Sequence, residues 1–126
     1  METVHDPGEH GDTPSLTRIF LSHDETAEPH RSLVAAITWQ DGPIKKHGVN
    51  GVQAEDILNL LIERMEWFQG GLFPCEENAR VLDHLHGANG WLKTRTALRV
   101  SQGVKGEGKP HLSPVLPPVP PDGPSA

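Results

Sequence analysis

Two regimes of apolar patterning divide this sequence. Before Gln40 the apolar residues fall in short runs, LTRIFLS at 16–22 and SLVAAITWQ at 32–40. Both predict strands, the second being rich in β-branched and aromatic types. The polar stretch from His23 to His30, with Pro29 inside it, predicts a loop. Asp41-Gly42 is a hairpin-turn dipeptide, so residues 43–46 are expected to form a short returning strand. After Asn50-Gly51, itself a turn signal, the period changes.

Glu55 and Asp56 bring two carboxylates to a helix N-terminus, where the helix dipole favours them. Ile57, Leu61 and Phe68, with Leu58, Ile62 and Met65 alongside, then keep helical spacing until Gly70-Gly71 ends the run. A second helix is predicted to start near Pro74, with the proline in a tolerated first-turn position. It continues through Val81, Leu85, Ala88 and Leu92 to about Val100. Gly87 and Gly90 inside it cost about 1 kcal/mol each against alanine and point to close packing. The expected fold is α+β: a small antiparallel β-sheet followed by an antiparallel two-helix hairpin, assembling as a homo-oligomer.

Length and composition sharpen that picture. The 126 residues suit one domain with a thin core. Residues 1–15 are polar, with two prolines and two glycines, and residues 109–126 hold most of the twelve prolines. Both ends are expected to be disordered, leaving residues 16–108 as the folded domain. The tail has the PxxP form of polyproline ligands, and its default is a solvated segment without a site role. So small a core needs a staple or a partner subunit. With one cysteine, Cys75, an internal disulfide is impossible, so the partner is expected. The acidic N-terminus lacks the apolar core of a signal peptide, no run suits a membrane span, and a cytoplasmic protein is anticipated.

The net charge of −6 argues against general nucleic-acid binding. Within that acidic chain, however, residues 84–106 contain no carboxylate, while Lys93, Arg95, Arg99 and Lys105 all lie there. This local positive field suits a phosphate-bearing ligand. Val81, Leu85, Ala88, Leu92, Arg95 and Arg99 share one spacing, so the two arginines continue an apolar stripe and require an anion. Two guanidinium forks one turn apart can grip a diphosphate; pairing with Glu63 or Glu66 of the first helix satisfies them equally well. Phe68 and Trp91 are candidates to stack on an adenine-like base, or to pack in the core. Asn78, in the first turn of the second helix, can hold a ribose or base edge, or make a local capping bond. His84 and His86 point apart on a helix, and no zinc spacing occurs, so no metal site and no cofactor are expected. No P-loop, GxGxxG or GxSxG occurs, and Cys75 has no traceable histidine–acid constellation. No catalytic residue is assigned, and the chain reads as a binding protein.

Residues 37–52, ITWQDGPIKKHGVNGV, resemble the strand-turn-strand opening of the phage anti-Thoeris sponge family. The motifs FQxG at Phe68, FxCxEN at Phe73, WLxxRTxxR at Trp91 and GVxG at Gly103 are shared with the related anti-CBASS sponges, which carry the helical hairpin with less sheet. The resemblance covers residues 35–108. It implies a protein that binds signalling nucleotides made by bacterial immune enzymes and holds them uncleaved. The ligand implied is a glycocyclic ADP-ribose isomer made by a TIR-domain enzyme, with cyclic di- or trinucleotides held at separate sites of a hexamer. It further implies that Phe68 stacks on the adenine, Asn78 bonds the ligand, and Arg95 and Arg99 clamp the diphosphate at a dimer interface. Two positions depart from the family's usual pattern: Glu76 stands where Arg or Lys is common, and Lys105 where Glu is common. The competing reading is a helical-hairpin module that docks on a host protein without a small ligand. A nucleotide hydrolase is a third reading, for which the sequence offers no general base or metal set.

Overall fold

In the computed structural model, residues 1–23, 26 and 30–114 are described. They form two units: residues 1–53 with 106–108, and residues 54–105 with those from Lys109 onward.

The first unit is a three-stranded antiparallel sheet of β1 (Glu2–Pro7), β2 (Pro14–Ser22) and β3 (Arg31–Thr38), in the order β1-β2-β3. Thr17, only 5 % exposed, lies at its middle, opposite His5 on one side and Ile37 on the other. Its hydroxyl accepts the indole N–H of Trp39 at 2.7 Å and meets His5 Nδ1 at 2.8 Å. A buried hydroxyl with partners on both sides avoids the cost of an orphaned polar group. At the far end of the sheet, Arg31 pairs with Glu2 and lies over the Phe20 ring, 4.3 Å from its centroid.

Residues 1–15 were expected to lack structure; instead they carry β1 and the start of β2. β1 pairs with β2 from Glu2 opposite Phe20 to Pro7 opposite Pro14, and a long-range polar contact closes their turn. The Asp41 carboxylate accepts the Glu9 N–H at 2.8 Å and the His10 N–H at 3.0 Å, closing the turn between β1 and β2. The Glu9 bond first, then that of His10 and the charge that His10 and His47 can carry, holds the Asp41 carboxyl below its ordinary value despite an opposing desolvation. The His10 and His47 rings stack with centroids 3.9 Å apart.

The returning strand expected at residues 43–46 is a four-residue helix, α1 (Ile44–His47). Its would-be place beside β3 belongs to Val52, which pairs in parallel with Trp39; Gln40 N–H donates to Val52 O, and Val52 N–H to Thr38 O, both at 2.8 Å. Gly51 permits that approach, since a Cβ there would lie 2.4 Å from the Trp39 carbonyl. The strand expected over 32–40 accordingly ends at Thr38.

The second unit holds α2 (Ala54–Gln69) and α3 (Glu76–Ser101), which pack on one another. Both helices form where the apolar spacing predicted. Glu55 and Asp56 occupy the first turn of α2, and Gly70-Gly71 follows its end. Cys75 rather than Pro74 caps α3: its Sγ accepts the Asn78 N–H at 3.4 Å, and its own N–H donates to Gln69 Oε1 at 2.9 Å. Pro74 therefore stands ahead of the helix, not in its first turn. A Cβ at Gly90 would meet nothing within 4 Å, so close packing does not explain that glycine. The proline-rich residues 115–126 lie outside the described residues.

Candidate ligand-binding surface

The two helices meet along heptad seams. On α2 the half-buried positions include Glu55, Leu58, Met65 and Gln69, with Ile62 (7 % exposed) the one fully buried apolar residue among those described. On α3 they include Asn78, Leu82, Leu85, Asn89, Leu92, Thr96 and Arg99, spaced 4, 3, 4, 3, 4 and 3. This corrects the predicted stripe. Val81, Ala88 and Arg95 are exposed and sit one position ahead of the seam.

The five predicted site residues separate accordingly. Asn78 and Arg99 belong to the seam and are half-buried. Phe68, Trp91 and Arg95 are exposed, each on the row just before its helix's seam. Arg64 shares that row on α2 and lies over the Phe68 ring, 4.9 Å from the centroid. The sequence reading missed Arg64; its i,i+4 spacing to an aromatic residue was the available signal.

Packing against glutamates does not account for Arg95, which makes no ion pair among the described residues. Glu66 instead faces His86, at 4.0 Å. Arg99 donates from Nη2 to the Val104 carbonyl at 2.9 Å. The GVxG motif explains this contact. Gly103 takes φ +71°, Val104 N–H returns to Arg99 O at 2.9 Å, and Gly103 N–H returns to Val100 O at 3.1 Å. This cap folds the chain back over the last turn of α3, bringing the Val104 carbonyl to the Arg99 head.

The surface thus offers exposed aromatic rings and guanidinium groups on neighbouring rows of two packed helices. Rings stack on bases and guanidinium forks bind phosphates, so nucleotide recognition is within its chemistry. Among the described residues, no group of three or more His, Cys, Asp or Glu side chains is arranged to hold a metal ion. No helix among them is long and apolar enough to cross a membrane.

An α+β chain, with a small antiparallel sheet followed in sequence by two packed helices that carry arginines and aromatics, is the class of protein that results. Residues 32–97 match the family model described as the Acb2/Tad1 hairpin domain, and the chain belongs to that family. It is 40 % identical over 81 residues to a Bacillus phage SBSphiJ7 protein called Thoeris anti-defense 1, an alignment covering 64 % of this chain and 57 % of the relative. The resemblance drawn from the motifs at Phe68, Phe73, Trp91 and Gly103 to the anti-Thoeris family is therefore borne out. The chain spans little more than half the length of that relative.

Proposed function

We propose that this protein is a phage anti-defence sponge that binds a cyclic nucleotide immune signal and withholds it from its effector without cleaving it. The signal best fitted is a glycocyclic ADP-ribose isomer made by a TIR enzyme; cyclic di- and trinucleotides are further candidates for separate sites. It acts without a cofactor in the host cytoplasm. The family membership supports the anti-defence role.

The observation that carries the ligand reading is the shared row of Phe68, Trp91 and Arg95. Only six residues, 70–75, join α2 to α3, so packing requires the helices to run antiparallel. In antiparallel helices the rows one position before each seam face the same side. Ile57, Leu61, Arg64 and Phe68 then share a face with Val81, Ala88, Trp91 and Arg95. The opposite side is polar, with Glu63, Glu66, Asp83, His86 and Lys93. Phe68 is assigned to stack on the adenine, and Trp91 is a second stacking candidate further along the same face. Arg95 and Arg99 take the diphosphate, and Asn78 bonds the ligand.

A second copy completes the site in this reading. One buried apolar residue among those described is too little for an isolated chain of this size. Meanwhile Trp67, Leu72 and Phe73 stand 75 %, 90 % and 80 % exposed. Burying such residues between copies supplies the missing core and makes the assembly a homodimer or homohexamer. The same exposed residues also suit a hairpin that docks on a host protein; that alternative needs neither arginine.

The test is capture and release. Purified protein is mixed with the product of an active TIR enzyme, removed by filtration, and then heat-denatured. Loss of signal from the filtrate followed by release of the intact molecule is the expected result. Loss without release would mean cleavage. No loss of any cyclic nucleotide would leave the docking alternative.

A further inference from the structure

The C-terminal end of α3 carries contacts that its cap alone does not require. Gln102 behaves as a strand partner would: its Nε2 donates to Leu112 O and its Oε1 accepts Leu112 N–H, each at 2.7 Å. This two-point grip holds residues 111–112 against the helix end. It brings His111 Nδ1 to 3.4 Å from Arg99 Nη1, with the other ring nitrogen 3.3 Å from Ser113 Oγ. A guanidinium only donates, so Nδ1 is the acceptor of that contact. Arg99 is thus approached from one side by the Val104 carbonyl and from another by His111.

We infer that Gln102 and His111 are positioning residues for Arg99, fixing its fork before a phosphate arrives. The inference rests on the reading of Arg99 as a phosphate-binding group. An arginine side chain loses much rotamer freedom when it grips an anion. Holding it beforehand removes part of that cost and tightens binding without any new contact to the ligand. The guanidinium has five N–H donors, so it can hold protein acceptors and a phosphate together. Arg95 supplies the internal contrast: it is exposed and has no such support among the described residues. Gln102 and His111 lie beyond residues 32–97, the part matched by the family model.

The experiment is calorimetry on the full chain with the glycocyclic ADP-ribose isomer. Gln102→Met keeps side-chain length and removes both bonds to Leu112; His111→Ala leaves the helix untouched and removes the contact to Arg99. Each is expected to weaken binding about fivefold. The loss from Gln102→Met should persist in an Arg95→Ala background and vanish in an Arg99→Lys background. A loss unchanged in the Arg99→Lys background, or wild-type affinity in both single variants, would overturn the inference while leaving the sponge reading intact. A wild-type chain that binds none of the isomer would overturn this inference and the assignment of that isomer as the ligand together.

Discussion

The sheet unit and the helical unit are held by different means. In the helical unit two helices share a repeating seam, and the contacts come from positions three and four residues apart. In the sheet unit the connections are polar and specific: Thr17 under Trp39, Asp41 on the amides of Glu9 and His10, Gln40 and Asn50 on neighbouring backbone. Seams tolerate exchange among apolar residues of similar size. Polar anchors do not, because a lost partner leaves the other group unsatisfied. The comparison teaches where each kind of variation is allowed. The helices can drift in composition while keeping phase, whereas the sheet depends on a few identities.

The largest test falls on function in the helical unit. Arg95→Ala with Arg99→Ala should weaken binding of the glycocyclic ADP-ribose isomer more than hundredfold, since two charge-assisted contacts are worth roughly 3–6 kcal/mol. Helical circular dichroism should persist; retained affinity would remove the clamp from the model of action. Next in size is Ile62→Ala, which should cost about 2–3 kcal/mol in urea denaturation followed by helical signal. A null result there would mean the seam is not what holds the helices.

Thr17→Val should cost about 1–2 kcal/mol by stranding the Trp39 N–H, seen as an earlier shift of tryptophan emission on heating. If a valine is tolerated without loss, the claim that polar identities hold the sheet fails. The smallest effect belongs to Asp41. Its folded carboxyl titrates below the ordinary 3.8, so its contribution is whole above that value and is lost as pH falls through the lower folded value. Asp41→Asn should therefore speed amide exchange at Glu9 and His10 at neutral pH and flatten the acid-side change seen in the parent chain.

Legibility followed the same division. The bounds of α2 and α3 could be read because each residue's reason to be helical lies within a turn or two of it. Glu55 and Asp56, the apolar period and Gly70-Gly71 are all local signals. The phase of α3 was misread by one position because Asn78, Asn89 and Thr96 occupy its seam, so counting apolar residues selected the neighbouring row of Val81 and Ala88. Of the two arginines placed on that stripe, Arg99 lies on the seam and Arg95 on the exposed row beside it. β1 could not be read, because its residues are mostly polar; it is held by pairing with β2, and the turn between them is closed by Asp41, more than thirty residues away. The fate of residues 43–46 was hidden for the same reason: Asp41-Gly42 has the chemistry of a hairpin turn, but Val52 occupies the edge a returning strand would need.

The separation of the first turn from its anchor also sets an order of manufacture. Asp41 leaves the ribosome 31 residues after His10, a delay of about 2–6 s at roughly 5–20 residues per second. During that interval β1 and β2 can meet, but the turn joining them has no anion to gather its amides. A later delay follows, since Lys45 N–H is satisfied by Gly106 O, at 2.9 Å, only after both long helices have been synthesised. The unit that begins the chain cannot be finished before the helices exist.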